Sequence, residues 1–361
     1  MKSMLKRTVS TMLLAITVLA CCLFGWHASS QSATPEALGK AASVEGRAVW
    51  VSARQFSPDK DEAVAEMEAT FDEWAGLGIN NLFVFSSTYS DEWDVLGTIL
   101  ELAHARGMKV HPCYCPGGHV QLEGEIAKHP EWLIQGFEGH QNLNPSNPGA
   151  REYMLREIEE LLKYDIDGLH FDYIRFPVRQ GFSYDSASRA AFEREFGRDP
   201  LSLRHHNSGS AMWVEWIRWN ANNVTNLLRE TRDLLKRKGK EEVLISAAVF
   251  PDPDSAAYMI GQEWEVWAQE GLVDILCPML YTNNLDVFRK YTRKAVNVAK
   301  GRCLFYAGIA CRSSHNINTP EGVAREVEIA REEGADGVVF FSGSSLVDDF
   351  IAQLKSTVFA E

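Results

Sequence analysis

The densest run of residues able to do chemistry is Asp165-Ile-Asp167-Gly168-Leu-His170-Phe-Asp172-Tyr173-Ile-Arg175-Phe-Pro177. Side chains alternate between the two faces of a strand. A strand over Ile166 to Asp172 therefore sets Asp172 and His170 on one face, with His170 a layer beneath, and Asp167 on the other. Asp167, placed just before Gly168, reads as a strand-entry turn residue. Asp172 reads as a reactive acid at a strand end, the structural alternative being an ion pair with Arg175. His170 either orients Asp172 or is a satisfied core histidine.

Cleavage of a glycosidic bond generally uses two carboxyl groups about 5 to 9.5 Å apart, one as acid and one as nucleophile or base. With Asp172 as nucleophile or transition-state stabiliser, the proton donor is expected at Glu263, in Gln262-Glu263-Trp264, or at Asp252, in Phe250-Pro-Asp252-Pro-Asp254. The structural alternatives are a helix-start acid for Glu263 and a turn residue beside proline for Asp252. Trp50, Tyr114, Tyr173, Trp264 and Tyr281 fall near the ends of strand-like runs, where rings stack on sugar faces. Asn144, His170 and Arg175 would hold hydroxyls. Trp213, Trp216 and Trp219 recur at a spacing that puts them on one helix face, which points to packing against the barrel. His170-x-Asp172 and Cys113-x-Cys115 each offer a pair of metal ligands, short of the set a tetrahedral site requires. No metal and no other cofactor is expected.

The elements that must position these groups alternate along the chain. Strand-like runs cover Arg47–Ala53, Ile79–Ser86, Lys109–Cys115, Ile166–Asp172, Val243–Phe250, Val273–Tyr281, Cys303–Ala310 and Gly337–Ser342. Helical patterns lie between them, at about 61–76, 93–106, 148–163, 210–238, 262–270, 284–299, 320–333 and 344–356. Strand followed by helix, repeated eight times, is the pattern of an α/β chain closed into a (β/α)₈ TIM barrel, whose chemistry sits at the carboxyl ends of the strands. Long connections follow the third run (116–147) and the fourth (177–210). The first carries His119, His129, Trp132, Phe137 and His140, a candidate substrate wall.

Ahead of the barrel, Lys2, Lys6 and Arg7 precede an uncharged, mostly apolar run from Thr8 to Ala20, the pattern of an export signal ending near residue 30. Val18-Leu19-Ala20-Cys21 resembles a lipidation site at Cys21, with simple cleavage near Ala28-Ser29-Ser30 as the alternative. Residues 31–44 suit a flexible tether, and 45–361 form one barrel domain. The seven cysteines leave an odd number beyond Cys21 and Cys22, and Cys113, Cys115, Cys277, Cys303 and Cys311 read as core thiols. A formal net charge of −13 and the lack of a basic patch argue against a nucleic-acid partner.

Arg47-Ala-Val-Trp50-Val-Ser52, Leu143-Asn144-Pro145, the Asp167–Pro177 run, Gln262-Glu263-Trp264 and Cys277-Pro278-Met279-Leu280-Tyr281-Thr282 resemble the bacterial glycosyl-hydrolase-like ten family. The resemblance implies a barrel, exported or lipoprotein members, Asp172 as the candidate acid and activity on glycans, bare peptidoglycan strands among them. After the third run the chain departs from the family pattern, reading His111-Pro-Cys-Tyr-Cys-Pro-Gly-Gly118. The expectation is a monomeric glycosidase of the cell envelope, periplasm or medium, acting on polysaccharide and meeting membrane only through a lipid anchor. A surface barrel that binds glycan without cutting it is the first alternative, and a metal-dependent hydrolase the second.

Overall fold

The computed structural model describes residues 44–86, 92–118, 120–136, 141–178, 182–203 and 211–360. The export segment with Cys21, nearly all of the tether, and His119, Phe137 and His140 lie outside them. Eight parallel strands pair in chain order and close into a barrel: β1 (Gly46–Ser52), β2 (Asn81–Phe85), β3 (Lys109–Tyr114), β4 (Gly168–Phe171), β5 (Leu244–Val249), β6 (Ile275–Pro278), β7 (Leu304–Ala310) and β8 (Gly337–Phe341). The register from Gly46↔Gly337 to Trp50↔Phe341 joins β1 to β8 and completes the ring.

The helices around it are α1 (Lys60–Ala75), α2 (Val95–His104), α3 (Pro148–Leu161), α4 (Ser186–Phe196), α5 (Ala211–Lys238), α6 (Pro253–Ile260), α7 (Trp264–Gln269), α8 (Leu285–Ala299), α9 (Pro320–Glu333) and α10 (Asp348–Ser356). Side chains of Asp59, Asp94, Asn147, Asp185, Asn284 and Thr319 accept first-turn N–H groups, which contributes about 1 kcal/mol at each start. Among the described residues no helix is long and apolar enough to cross a membrane.

One device recurs at the entry of every second strand. Asn80, Asp167, Asp274 and Asp336 stand just ahead of β2, β4, β6 and β8. Their side-chain oxygens accept the N–H of Arg47, Val110, Ile245 and Phe305, and their own N–H groups donate to the carbonyls of those same residues. Each side chain thus takes the place of a ladder partner at the rim, where a backbone N–H would otherwise be unsatisfied. The strand-entry role expected of Asp167 is observed, and His104 Nε2 shares the same carboxylate at 2.8 Å. This use of Asp167 and Asp274 explains why β4 and β6 begin later than Ile166 and Val273.

Strand alternation sorts the core into two. Outward residues such as Val49, Val84, Phe171 and Phe305 pack under the helices, while Ala48, Trp50, Phe83, Cys113, Leu244, Ala248, Ile275, Cys277, Leu304, Tyr306 and Val339 fill the barrel. The five cysteines among the described residues are free thiols, with Cys113, Cys277 and Cys311 buried and Cys115 and Cys303 half-buried.

Two helices were not expected. α4 lies inside the long connection after β4, started by the Asp185 cap and stopped by Gly197 at φ 71°, while α6 follows β5 directly and ends at Gly261 with φ 73°. α4 changes the account of the tryptophans: Trp216 packs on Phe192 of α4, on Tyr184 and on Trp219, so this face serves the α4 connection instead of the barrel.

Candidate active site

The floor of the barrel mouth is a satisfied polar group in an aromatic setting. An indole N–H only donates, so the Trp50 Nε1–H donates to His170 Nε2 at 2.9 Å and fixes the neutral ring's proton on Nδ1. That Nδ1–H donates to Ser246 Oγ at 2.8 Å, and Phe83 stacks on the ring at 4.1 Å between centroids. Burial first, and the neighbouring His111 second, hold His170 well below the ordinary histidine pKa. His111 lies in the same interior without a partner for either ring nitrogen, and burial lowers it to about 4. Gly168 is required here, because a Cβ on it would fall 2.1 Å from His111 Nδ1.

Asp172 stands one residue past β4, and its N–H still pairs with the Tyr114 carbonyl at 3.1 Å, so strand parity carries it inward above His170. Its Oδ1 accepts the Tyr173 N–H at 2.6 Å. Tyr173 adopts φ 50°, a left-handed conformation uncommon for a side chain of this size. Its carbonyl accepts from Gly117 N–H at 2.9 Å and Arg175 N–H at 2.8 Å, which pins the turn. Burial raises the Asp172 carboxyl, while the Arg175 guanidinium and then the Tyr173 N–H pull it back, leaving it above the ordinary aspartate value. Asp172 in turn acts on Cys115, Tyr173 and Tyr281, whose acid groups are all raised, chiefly by burial.

The mouth wall is aromatic. Tyr281 stacks on Phe341 at 5.4 Å and meets Trp50 edge-on, and Phe85 and Met279 pack half-buried against the same interior group. Phe85, Cys115, Met279 and Phe341 were not among the expected lining residues. They continue the inward parity of Phe83, Cys113, Cys277 and Val339, so the alternation that singled out Asp172 and His170 also marks them.

Several expected site residues are placed elsewhere. Glu263 starts α7 on the outside of the barrel, accepting from Thr225 Oγ1 of α5 at 3.4 Å with Arg218, Arg229 and Glu270 as charged neighbours. Asp252 pairs with Lys294 of α8, and so does Asp254 at 2.8 Å. The side chains that act on Asp172 include none of these acids, which corrects the expected acid pair: the starts of α6 and α7 hold Asp252 and Glu263 against partners on outer helices. Trp50 is 2% exposed and His170 0%, so they form the floor and offer no free face to a ligand. Asn144, 0% exposed, donates to Asp185 Oδ2 at 2.8 Å and ties the connection after β3 to α4. Trp264 is wholly buried, and Tyr114 has outward parity, packing on Phe171. Trp132 is buried against Tyr153 of α3, so it forms no substrate wall. Tyr173, Arg175 and Tyr281 remain around Asp172.

Among the described residues no cluster of three or more His, Cys, Asp or Glu could hold a metal ion. The family model for glycosyl hydrolase-like 10 proteins matches residues 65–321. The chain belongs to this family. In this glycosyl hydrolase-like 10 chain the match runs from α1 into α9 and includes Asp172. Glycosyl hydrolase DigH of Escherichia coli (strain K12) is 23% identical over 255 residues, covering 60% of this chain and 54% of DigH. The chain thus spans about half the length of the curated relatives it matches. The PgaB (BpsB) glycoside hydrolase domain from Bordetella bronchiseptica superposes with TM-score 0.65 at 17% identity, covering 85% of this chain and 95% of that one. The catalytic domain of β-amylase from Paenibacillus polymyxa gives 0.60 at 11% identity, covering 88% and 99%. The C-terminal domain of a putative chitinase from Desulfitobacterium hafniense gives 0.55 at 13%, covering 87% and 99%. At such identities the likeness is one of fold, the TIM barrel that these glycoside hydrolases share.

Proposed function

We propose that this family member is an exported glycoside hydrolase that cleaves O-glycosidic bonds of a polysaccharide, a bacterial cell-wall glycan above all, with Asp172 as its central acid. The observation that carries the reading is the Asp172 carboxyl itself: inward at the end of β4, raised by burial, and flanked by Tyr173, Arg175 and Tyr281. A carboxyl that keeps its proton above the ordinary aspartate range suits protonation of the leaving oxygen. The proton moves from Asp172 to the glycosidic oxygen as the bond to the anomeric carbon breaks. The second role, attack on that carbon, falls to water or first to a neighbouring group of the substrate, as in substrate-assisted glycosidases, and the Asp172 carboxylate left by the first step takes the proton of the water that ends on the anomeric carbon. This replaces the nucleophile role expected for Asp172, because Glu263 and Asp252 are engaged on the outer helices.

That same outward placement favours a second reading, a barrel that binds glycan without cutting it. One experiment separates the two: the purified chain and its Asp172→Asn variant are incubated with a panel of polysaccharides, stripped peptidoglycan included, and products are sized. The hydrolase reading expects fragments from the wild type and a loss of at least roughly 10³-fold in the variant with unchanged melting. Retained turnover in Asp172→Asn rejects the assignment, and binding without fragments selects the second reading.

A further inference from the structure

We infer that Arg175 anchors an anion subsite beside Asp172, so that the glycan taken at this mouth carries a carboxylate, phosphate or sulfate on a sugar next to the bond addressed. The inference deepens the hydrolase reading and rests on it for the sugar, while the anion follows from the arginine alone.

Arg175 leaves the turn that ends β4. Its guanidinium carbon lies 4.4 Å from the ring centre of Tyr173 and 4.9 Å from that of Phe250, so the group is held between a residue of the turn after β4 and the residue just past β5. Such a clamp removes in advance the rotamer freedom that an arginine loses on binding. Yet Nη1 is buried and donates to no acceptor. A buried N–H of a charged group left without an acceptor is costly, and among the described residues the other arginines avoid it. Arg232 is paired with Asp274, Arg151 with Glu230, Arg289 and Arg293 with Glu333, and Arg331 with Glu45.

The negative charge that Arg175 does meet is that of Asp172, and burial drives Asp172 toward its neutral form. No hydrogen bond or ion pair joins the two side chains, so Nη1 keeps its donor capacity for a ligand. A planar, preorganised fork of N–H donors is matched by an oxyanion that accepts two parallel hydrogen bonds. The chain as a whole carries a formal charge of −13, which repels anions at long range. Selective uptake of an anion therefore needs a local cause of this kind.

The test uses the full chain and ligand-observed NMR titrations with acetate, sulfate and inorganic phosphate, and with glucose and glucuronate as a matched neutral and anionic sugar. None of these is cut, so binding is read independently of turnover. The expected result is saturable binding of at least one anion and a preference for glucuronate over glucose of roughly ten-fold. Arg175→Met removes both, and Arg175→Lys keeps part of the preference. The anion that binds tightest identifies the substituent. Glucose and glucuronate binding alike, or a preference that survives Arg175→Met, overturns the proposal. Should Arg175→Met fail to fold, Arg175→Gln serves in its place and must lose the preference as well. The hydrolase reading falls on a different result, the absence of product from every polysaccharide, so the two failures are distinguishable.

Discussion

At the scale of single residues, the mouth is organised around the protonation of one carboxyl. Burial raises Asp172, and Arg175 opposes it from a few residues away on the same turn. A proton donor works only while protonated, so kcat/KM is expected to fall as pH rises through the raised Asp172 value. Arg175→Met removes the charge that favours the ionised form, so the falling limb should move to higher pH, by up to roughly one unit. A limb that stays in place, or moves down, would show that another group sets it. Beneath Asp172, His170 stays out of the titration: with Trp50 donating to one ring nitrogen and Ser246 accepting from the other, it is a neutral floor.

At the scale of elements, the side chains before β2, β4, β6 and β8 are the fold's own solution to an unsatisfied strand entry, and they differ in what else they hold. Asp274 also takes Arg232 Nη2 at 2.6 Å in a buried ion pair, whereas Asp336 bonds Phe305 N–H at 2.9 Å beside no paired arginine. Asp274→Ala leaves Arg232 buried and uncompensated and should cost roughly 3–5 kcal/mol. Asp336→Ala, losing one backbone partner, should cost about 1–3 kcal/mol, and equal losses in denaturant unfolding would refute the distinction. Glu326 on α9 is a second test at this scale. It is 1% exposed, Asn318 donates to Oε2 at 3.1 Å, Oε1 has no partner, and burial lifts its pKa to about 8. A folded pKa above the unfolded one means full stability below about 4.5, with stability lost as pH climbs toward 8. Glu326→Gln should therefore change nothing near pH 4.5 and stabilise by on the order of 2 kcal/mol near pH 8. A pH-independent difference in melting would contradict the buried proton.

At the scale of the whole molecule, the described residues close into one barrel, and the pattern at residues 1–30 suggests where it would work. We propose lipid attachment at Cys21, on the pattern Val18-Leu19-Ala20-Cys21. The wild-type chain is then expected in the membrane fraction of its cell and Cys21→Ala in the soluble fraction. A soluble wild-type chain would point to cleavage near Ala28-Ser29-Ser30 instead.

Local pattern determined the strands, their number, their closure and the face that Asp172 shares with His170, because alternation and the strand-then-helix repeat are written residue by residue. The entry role of Asp167 was legible for the same reason, beside a glycine at the start of a strand. What only the tertiary structure decided is who meets whom across distant segments. Glu263 and Asp252 lie close in sequence to the end of β5, yet the turns into α6 and α7 aim them at Thr225 and Lys294 on outer helices. Trp50, Asn144 and Trp264 sit near strand or loop ends that suggested a lining, and neighbours from other elements bury them. Depth below the mouth depends on stagger between strands and on which loops cover a side chain, and neither is encoded in spacing along one segment.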